Sequence, residues 1–444
     1  MQLCRVRRSV LLPVVASILA LCTGTCESES VGGSDPAPDD CGPCAVSDTT
    51  CPECGDGRCD LGESTVNCPA DCQPTLDVDL LMVVDNSGSM SGEAAPFYRQ
   101  IPPLVQGLRQ TPGGLPNLHI GVISTDVSVG PNEITYCDSP DDGRLVGTDR
   151  MTEYILGGTY LADVRPVGCS AVRDATGLCS SHDCDDRHCA QERHTVLEVD
   201  SQTGCPRCRN FGNQWLEDAI LWGMELGTMG CGFEQPLEAL RLALDDHPDN
   251  TGFLRDDSLL AIWIYTDEDD CSASDTRLFS DPDADIDSEL GPLTSYRCFE
   301  WSTACDIDDR TVEGPRTGCV ERTDDGALLH PISRYLDFLC GLRAPGRLLV
   351  AGVTGPVTPS ADGVGVDVTV YVDEYDHPAL EFACTTAMSG ALPAIRLHSF
   401  FSAFNTDENL DEALTSACSN DLGPSLLSLG RRIAQRTTDA TLVD

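Results

Sequence analysis

The chain has 444 residues, with 72 acidic side chains against 28 basic ones and a formal net charge of −44. A charge of this sign repels phosphate backbones and anionic lipid surfaces, so the composition argues against nucleic acid as a partner and favours cationic ligands, divalent metals above all. The length exceeds what one compact core usually needs, so we expect one large domain with insertions and a small additional module.

Residues 1–26 are predicted to be an export signal, because three arginines precede an apolar run from Val10 to Leu21 that is too short to span a bilayer. The stretch ending at Cys22 resembles a bacterial lipoprotein box, in which the cysteine is acylated, although Leu21 replaces the small residue expected before it. We therefore expect the protein outside the cytoplasm, either secreted or at the cell surface as an outer-membrane lipoprotein. Lipidation of Cys22 and plain cleavage both stay open, and membrane contact is expected only through such an anchor.

The 25 cysteines support export, because so many thiols are natural as disulfides in an oxidising compartment. Residues 27–40 are acidic and rich in Gly and Pro, which predicts a flexible linker. Residues 41–73 form a cysteine-rich module that resembles a short repeat of secreted bacterial proteins. Its CxxC pairs have spacing that zinc sites also use, and we interpret them as disulfide-bonded because covalent bonds must replace the missing core.

From residue 76 onward, apolar strand patterns alternate with helix patterns, which predicts an α/β domain over 74–435. Strands are predicted at 79–85, 118–125, 258–267 and 347–355. Helices are predicted at 215–226, 234–244 and 331–342. Pro331 suits a first helical position, and Gly341 suits the helix end. Pro102 and Pro103 predict a kink or a late start in the helix that follows the first strand.

Three cysteine-bearing insertions interrupt this plan, near 127–213, 268–330 and 356–395, and a tail covers 436–444. The last insertion contains a strict alternation from Val366 to Val372, which predicts an additional, half-exposed strand. The expected fold class is therefore a doubly wound α/β domain with a mostly parallel sheet and disulfide-rich insertions, preceded by the small disulfide-stabilised module.

The segment "DLLMVVDNSGSM" ends a buried strand in three oxygen-bearing side chains, Asp85, Ser87 and Ser89. Gly88 is expected to let the backbone turn closely beneath them. A second apolar strand ends in Thr266 and Asp267. Because ligands collect at the carboxyl ends of parallel strands, these oxygens are predicted to meet in one crevice. Oxygen donors of this kind suit Mg²⁺, Mn²⁺ or Ca²⁺.

With both motifs in place, residues 76–435 resemble the von Willebrand factor A domain family. That resemblance implies a doubly wound sheet carrying a metal-ion-dependent adhesion site, with Mg²⁺ as the expected ion and Mn²⁺ or Ca²⁺ as alternatives. It implies that Ser87 and Ser89 ligate directly, and that Asp85 and Asp267 act directly or through water. It also implies a non-enzymatic role in binding an extracellular or cell-surface protein.

One departure from the family concerns Glu234, which stands where the family usually supplies a threonine. Asp85 and Asp267 alone balance a divalent ion, so Glu234 as a further ligand would leave the site negative. The adhesion mode in which a partner's carboxylate completes the coordination shell is then in question. Glu234 is alternatively an acid in the first turn of the next helix, stabilised by the helix dipole. The acidic residues 268–270, which replace a glycine, either deepen the cation-attracting potential or form a solvated loop, which is the more common case.

Other patterns have simpler interpretations. The histidines and cysteines of "HDCDDRHCAQERH", with nearby Cys205 and Cys208, have zinc-like spacing, but we interpret them as disulfides with exposed histidines. The acidic stretch 281–289 lacks the glycine of a calcium loop and is expected to be solvated. An enzyme is not expected, because Met90 occupies the nucleophile position of an elbow-like "GSMSG". Two alternative functions remain. In one, the ion has only a structural role and the insertions recognise the partner. In the other, the protein is a secreted hydrolase.

Overall fold

The four apolar segments predicted as strands meet in one central sheet. The computed structural model describes residues 76–92, 100–146, 158–174, 177–387, 389–405 and 407–437. The predicted signal segment, Cys22, the linker and the cysteine-rich module lie outside the described residues. Within these residues, no helix combines the length and the apolar character that crossing a membrane requires.

The described residues form seventeen strands. They are β1 (Asp77–Val84), β2 (Asn117–Ser124), β3 (Leu161–Val164), β4 (Ala171–Arg173), β5 (Cys179–His182), β6 (Val196–Val199), β7 (Pro206–Arg209), β8 (Leu259–Tyr265), β9 (Thr303–Ala304), β10 (Gly314–Glu321), β11 (Leu348–Thr354), β12 (Thr358–Pro359), β13 (Val366–Val372), β14 (Pro378–Leu380), β15 (Cys384–Thr385), β16 (Gly390–Ala391) and β17 (Leu414–Ser416). The α-helices are α1 (Pro102–Leu108), α2 (Leu216–Met224), α3 (Pro236–Leu244), α4 (Tyr296–Glu300), α5 (Ile332–Leu342), α6 (Ile395–Phe404), α7 (Asp407–Ala413) and α8 (Gly423–Arg436). All four predicted central strands are present, as β1, β2, β8 and β11.

The central sheet has eight strands in the order β17-β11-β8-β1-β2-β3-β7-β6. The five strands from β17 to β2 are parallel, whereas β3, β7 and β6 pair antiparallel. Side chains of β1 alternate between two cores, since Leu80 belongs to the core that contains residues of α1 and α8, and Leu81 belongs to the core that contains residues of α3, α5 and α6. Both faces of the sheet are therefore covered, which explains why its strands are continuously apolar.

The predicted helices are confirmed, with small differences at their ends. Helix α1 begins directly at Pro102, so the two prolines occupy its first turn, where no backbone N–H is required. Pro331 precedes α5 as its N-cap residue in an extended conformation, instead of occupying the first helical position. The same helix continues past Gly341 to Leu342. Helix α3 buries Leu237, Leu240 and Leu244, as its apolar stripe predicts.

The first insertion contributes to the central sheet. Its strands β3, β7 and β6 extend the central sheet beyond β2. Buried ion pairs help to join them, because Asp163 on β3 accepts from Arg207 at 2.5 Å and from Arg209 at 3.0 Å, both on β7. A sheet edge offers unpaired backbone groups, and the inserted strands cover that edge.

The other two insertions fold together. Strand β10 from the second insertion pairs antiparallel with β13 from the third, within a sheet ordered β12-β13-β10-β9 to which β14 is added. Strand β13 is the predicted half-exposed strand, and its side chains alternate between buried and partly exposed positions. Pairing across such a distance in sequence makes the two insertions one structural unit.

Disulfides stabilise all three insertions. The bonds between described cysteines are Cys137–Cys231, Cys169–Cys184, Cys179–Cys205, Cys189–Cys208, Cys271–Cys298, Cys305–Cys319 and Cys384–Cys418. The zinc alternative for the histidine-rich stretch therefore fails, because its cysteines and both cysteines of "CPRC" are joined in disulfides. His182 and His194 are exposed, as expected, and His188 is half-buried.

Candidate metal centre

The ends of β1 and β8 lie side by side. The two strands pair in parallel with Val84 opposite Tyr265, so Asp85 and Thr266 are the next residues at the same sheet edge. The backbone N–H of Asp85 donates to the carbonyl of Tyr265 at 2.9 Å. The convergence of the two strand ends that the sequence predicts is therefore present.

Hydrogen bonds join the oxygens from these two ends into one network. The Ser87 and Ser89 hydroxyls are 2.8 Å apart, and the Ser89 hydroxyl donates to Asp267 Oδ1 at 3.0 Å. Asp85 Oδ2 accepts from the Thr266 hydroxyl at 2.8 Å, and its Oδ1 accepts from the Ser87 backbone N–H at 2.8 Å. Four of the five predicted site residues thus form one connected set.

The fifth predicted residue, Glu234, interacts electrostatically with Asp85 and Asp267 of this set. It lies two residues before the first residue of α3, so it is not an acid of the first helical turn, where Glu238 stands instead. Its side chain is 1% exposed, and its Oε1 has no hydrogen-bond partner among the described residues. The Glu234 side chain is hydrogen-bonded to Glu268, but a buried Oε1 without a partner of its own is costly, which favours the ligand interpretation over the helix-dipole one.

We call Asp85, Ser87, Ser89, Glu234, Asp267 and Glu268 the acidic cluster. Burial raises the pKa of Asp85, although hydrogen bonds from Ser87 and Thr266 oppose that shift. Burial and then the charges of Glu268, Asp85 and Asp267 raise the pKa of Glu234 well above its usual range. Burial and the charge of Asp85 raise the pKa of Glu268 to about 7. No basic side chain among the described residues offsets these three groups.

Behind the cluster, Asp126 connects the loop after β1 to the loop before α3. It follows the end of β2, and it accepts from Asn86 Nδ2 at 3.1 Å and from the backbone N–H of Cys231 at 2.8 Å. Burial raises the pKa of Asp126 to about 6. Asp85 was predicted because ligands collect at the carboxyl ends of parallel strands. The same argument applied to β2 would have identified Asp126 as a residue that positions the site.

The expectation of a solvated loop at 268–270 is wrong. Glu268 and Asp269 are half-buried, and Asp270 is fully buried. Asp269 accepts from the backbone N–H groups of Arg396 and Leu397 at 2.9 and 3.0 Å, which caps the start of α6. Asp270 pairs with the buried guanidinium of Arg396 at 3.0 Å. These acids fasten the loop of Asp267 to a helix rather than facing water.

The role expected of Gly88 is also not supported. A Cβ atom at Gly88 would have no neighbour within 4 Å, and Gly88 is exposed. The glycine that the loop needs is Gly230, whose N–H donates to the carbonyl of Asn86 at 2.8 Å. A Cβ atom there would lie 2.3 Å from the Asn86 side chain.

We therefore expect Gly230→Ala to have a large effect and Gly88→Ala to have none. Gly230→Ala should displace Asn86 and lower cation affinity by about 10-fold, with an overpacking cost of about 1–3 kcal/mol. Gly88→Ala, the matched control, should leave both the cation affinity and the stability unchanged. Calorimetric titration with Mg²⁺ and thermal melting measure the two effects. Equal cation affinities in the two variants would contradict this placement of the loop.

A pH dependence follows from the raised pKa values. In the metal-free protein, Glu268 binds protons more tightly than in the unfolded chain, so its contribution to stability falls as pH rises from the usual 4.5 through about 7. A divalent cation must displace these protons, so its binding should tighten over the same range. The rise in melting temperature on adding Mg²⁺ should be several degrees larger at pH 7.5 than at pH 5.5. Equal rises at the two pH values would contradict this proton displacement.

Close clustering of side-chain ligand atoms occurs elsewhere in the fold. Among the described residues, Cys169, Asp183 and Cys184 bring such atoms within 4.8 Å of one another. Their two sulfurs are bonded at 1.99 Å, so this possible metal-binding group has no free thiolate while the disulfide is intact. No three carboxylates of the acidic cluster come so close. The serine hydroxyls are therefore needed to complete a donor set there.

No protein-family model matches the chain, and no curated protein matches it. The resemblance to the von Willebrand factor A family accordingly rests on the residues quoted for it. The placement of Asp85, Ser87, Ser89 and Asp267 at one sheet edge is the structural fact that bears on it.

Proposed function

We propose that the chain is an exported binding protein whose large domain is of the von Willebrand factor A type and holds one divalent cation in the acidic cluster. Ser87 and Ser89 would ligate directly, and Asp85 and Asp267 directly or through water. The supporting observation is the continuous oxygen network from Ser87 through Ser89 to Asp267, with spacings of 2.8 and 3.0 Å.

The donor chemistry of the cluster fits a hard cation. Its side chains offer hydroxyl and carboxylate oxygens, with no sulfur or imidazole, and such donors suit Mg²⁺, with Mn²⁺ and Ca²⁺ as alternatives. The buried and unpartnered Oε1 of Glu234 supports the same assignment, because a nearby cation would offset its desolvation. When bound, the ion supplies positive charge that lets the neighbouring carboxylates ionise together.

The partner we propose is an extracellular or cell-surface protein. The negative charge of the whole chain favours partners with basic surfaces and makes nucleic acid an unsuitable one. The proposal assigns no reaction to the site.

Partner capture with and without the ion tests this function. Immobilised mature protein is incubated with labelled surface proteins in Mg²⁺ or in EDTA, alongside Ser89→Ala and the control Asp283→Asn from the exposed loop 281–289. We expect a captured protein that is lost in EDTA and with Ser89→Ala, and retained with the control. If partner capture is unchanged both in EDTA and with Ser89→Ala, metal-mediated recognition is rejected.

A second candidate function has one specific observation in its favour. The third insertion is attached directly to the metal loop, because the backbone N–H of Leu392 donates to the carbonyl of Asp267 at 2.9 Å. The ion would then hold the strand ends and the insertion together, while the insertions recognise the partner. In that case EDTA lowers the melting temperature and leaves partner affinity unchanged.

A further inference from the structure

A cavity of about 450 Å³ opens onto the acidic cluster. Its floor includes Ser89, Asp267 and Glu268, and its walls come from the second and third insertions. This volume lies within the range of about 300–1,000 Å³ that is typical of ligand sites. Part of the candidate metal centre therefore lines a cavity that the insertions help to form.

The walls of this cavity are held in place by regular structure. Tyr371 on β13 pairs with Ala379 on β14, and both residues line the cavity. The Cys384–Cys418 disulfide ties the third insertion to the segment after β17. With the bond from Leu392 to Asp267, these links fix the walls relative to the floor.

Two aromatic rings are left exposed in these walls. Tyr371 is 40% exposed and Phe382 is 58% exposed. The Phe382 ring lies against the backbone of Gly390, where a Cβ atom would be 2.7 Å from the ring. Aromatic faces attract ammonium and guanidinium groups, and they also cover the apolar stems that carry such groups.

The charges of the cavity have one dominant sign. Asp267, Glu268 and Asp373 line it, and among the described lining residues the basic one is His377, whose Nδ1 lies 3.8 Å from Asp373. Asp373 accepts from the backbone N–H groups of Tyr375 and His377 at 2.8 and 2.9 Å. These bonds lower the pKa of Asp373 and keep it ionised.

We infer that this cavity binds a basic side chain of a partner polypeptide, with the guanidinium or ammonium group facing Asp373 and Glu268 and its stem packed on Tyr371 and Phe382. The inference rests on the proposed function in that the bound ion forms part of the floor. Asp373 and the exposed faces of Tyr371 and Phe382 attract an incoming cation, whereas Asp373 repels an incoming carboxylate.

Three small probes, of which the first two are matched in size, test the charge preference. N-acetyl-arginine amide, its neutral isostere N-acetyl-citrulline amide and N-acetyl-glutamate amide are titrated into the full mature protein saturated with Mg²⁺. We expect the arginine probe to bind about 10-fold more tightly than the citrulline probe, and the glutamate probe to bind least. Asp373→Asn and Phe382→Ala should each lower the affinity for the arginine probe about 5- to 10-fold without changing the affinity for Mg²⁺.

Asp362→Asn is the matched control, because Asp362 accepts from the N–H two residues later, as Asp373 does, but lies outside this cavity. It should leave arginine binding unchanged. Equal binding of arginine and citrulline, tighter binding of glutamate, or no arginine binding at about 10 mM would overturn the inference. Titration of the same samples with Mg²⁺ tests the proposed function separately, since loss of Mg²⁺ binding alone contradicts the metal site and not the charge preference.

Discussion

Glu234→Gln is expected to stabilise the metal-free protein and to weaken its binding of a divalent cation. Burial, and then the charges of Glu268, Asp85 and Asp267, raise the pKa of this carboxyl well above its usual range. A neutral amide removes that repulsion, so the melting temperature in EDTA at pH 8 should rise by about 2–4 °C. It also removes a negative charge beside the ion, so Mg²⁺ affinity should fall by about 10- to 100-fold.

Melting in EDTA and calorimetric titration with Mg²⁺ measure these two opposite effects on one variant. Glu289→Gln, in the exposed loop 281–289, makes the same chemical change away from the cluster and should alter neither quantity. A Glu234→Gln protein that melts lower in EDTA and binds Mg²⁺ normally would show that Glu234 has a structural role instead. A gain in stability together with a loss of binding is the pattern of a functional site.

Asp270→Ala is expected to be the most destabilising single change in the loop after β8. Asp270 and Arg396 are both almost fully buried and pair at 3.0 Å, and Asp270 also accepts from the backbone N–H of Leu237 and from the Ser272 hydroxyl. Removing the carboxylate leaves a buried guanidinium without this partner. The free energy of unfolding should fall by about 3–5 kcal/mol.

Urea unfolding under oxidising conditions measures this loss. Asp245→Ala is the control, because Asp245 is exposed and also pairs with an arginine, Arg241, at 2.6 Å. Its effect should stay below about 1 kcal/mol. If both variants lose similar stability, the Asp270–Arg396 pair does not anchor the loop to α6 in the way the structure indicates.

The central sheet could be predicted from the sequence because its signals are local. Each of the strands β1, β2, β8 and β11 is one apolar run, and helices α3 and α5 carry apolar stripes with a proline near the start. The pairing of β10 with β13 had no such signal, because it joins residues about fifty positions apart in two separate insertions. The extension of the central sheet by β3, β7 and β6 was missed for the same reason.

At the site, the sequence predicted the residues that follow strands and missed those that depend on distant partners. Asp85 and Asp267 could be placed together because parallel strands end at one edge. Asp270 was expected to be solvated because its partner, Arg396, lies 126 residues later in the chain. The cavity walls could not be predicted either, since Tyr371 and Phe382 reach the acidic cluster only through the folding of the third insertion.

Counting bound Mn²⁺ by electron paramagnetic resonance tests the proposed metal site most directly. Mature protein is stripped with EDTA, returned to buffer at pH 7.5 and titrated with Mn²⁺. We expect one ion bound per chain, displaced by excess Mg²⁺, and no tight binding in the Ser87→Ala/Ser89→Ala double variant, whose carboxylates are all retained. Absence of bound Mn²⁺ in the wild-type protein, or unchanged binding in the double variant, would contradict a cation held by oxygens from the ends of β1 and β8.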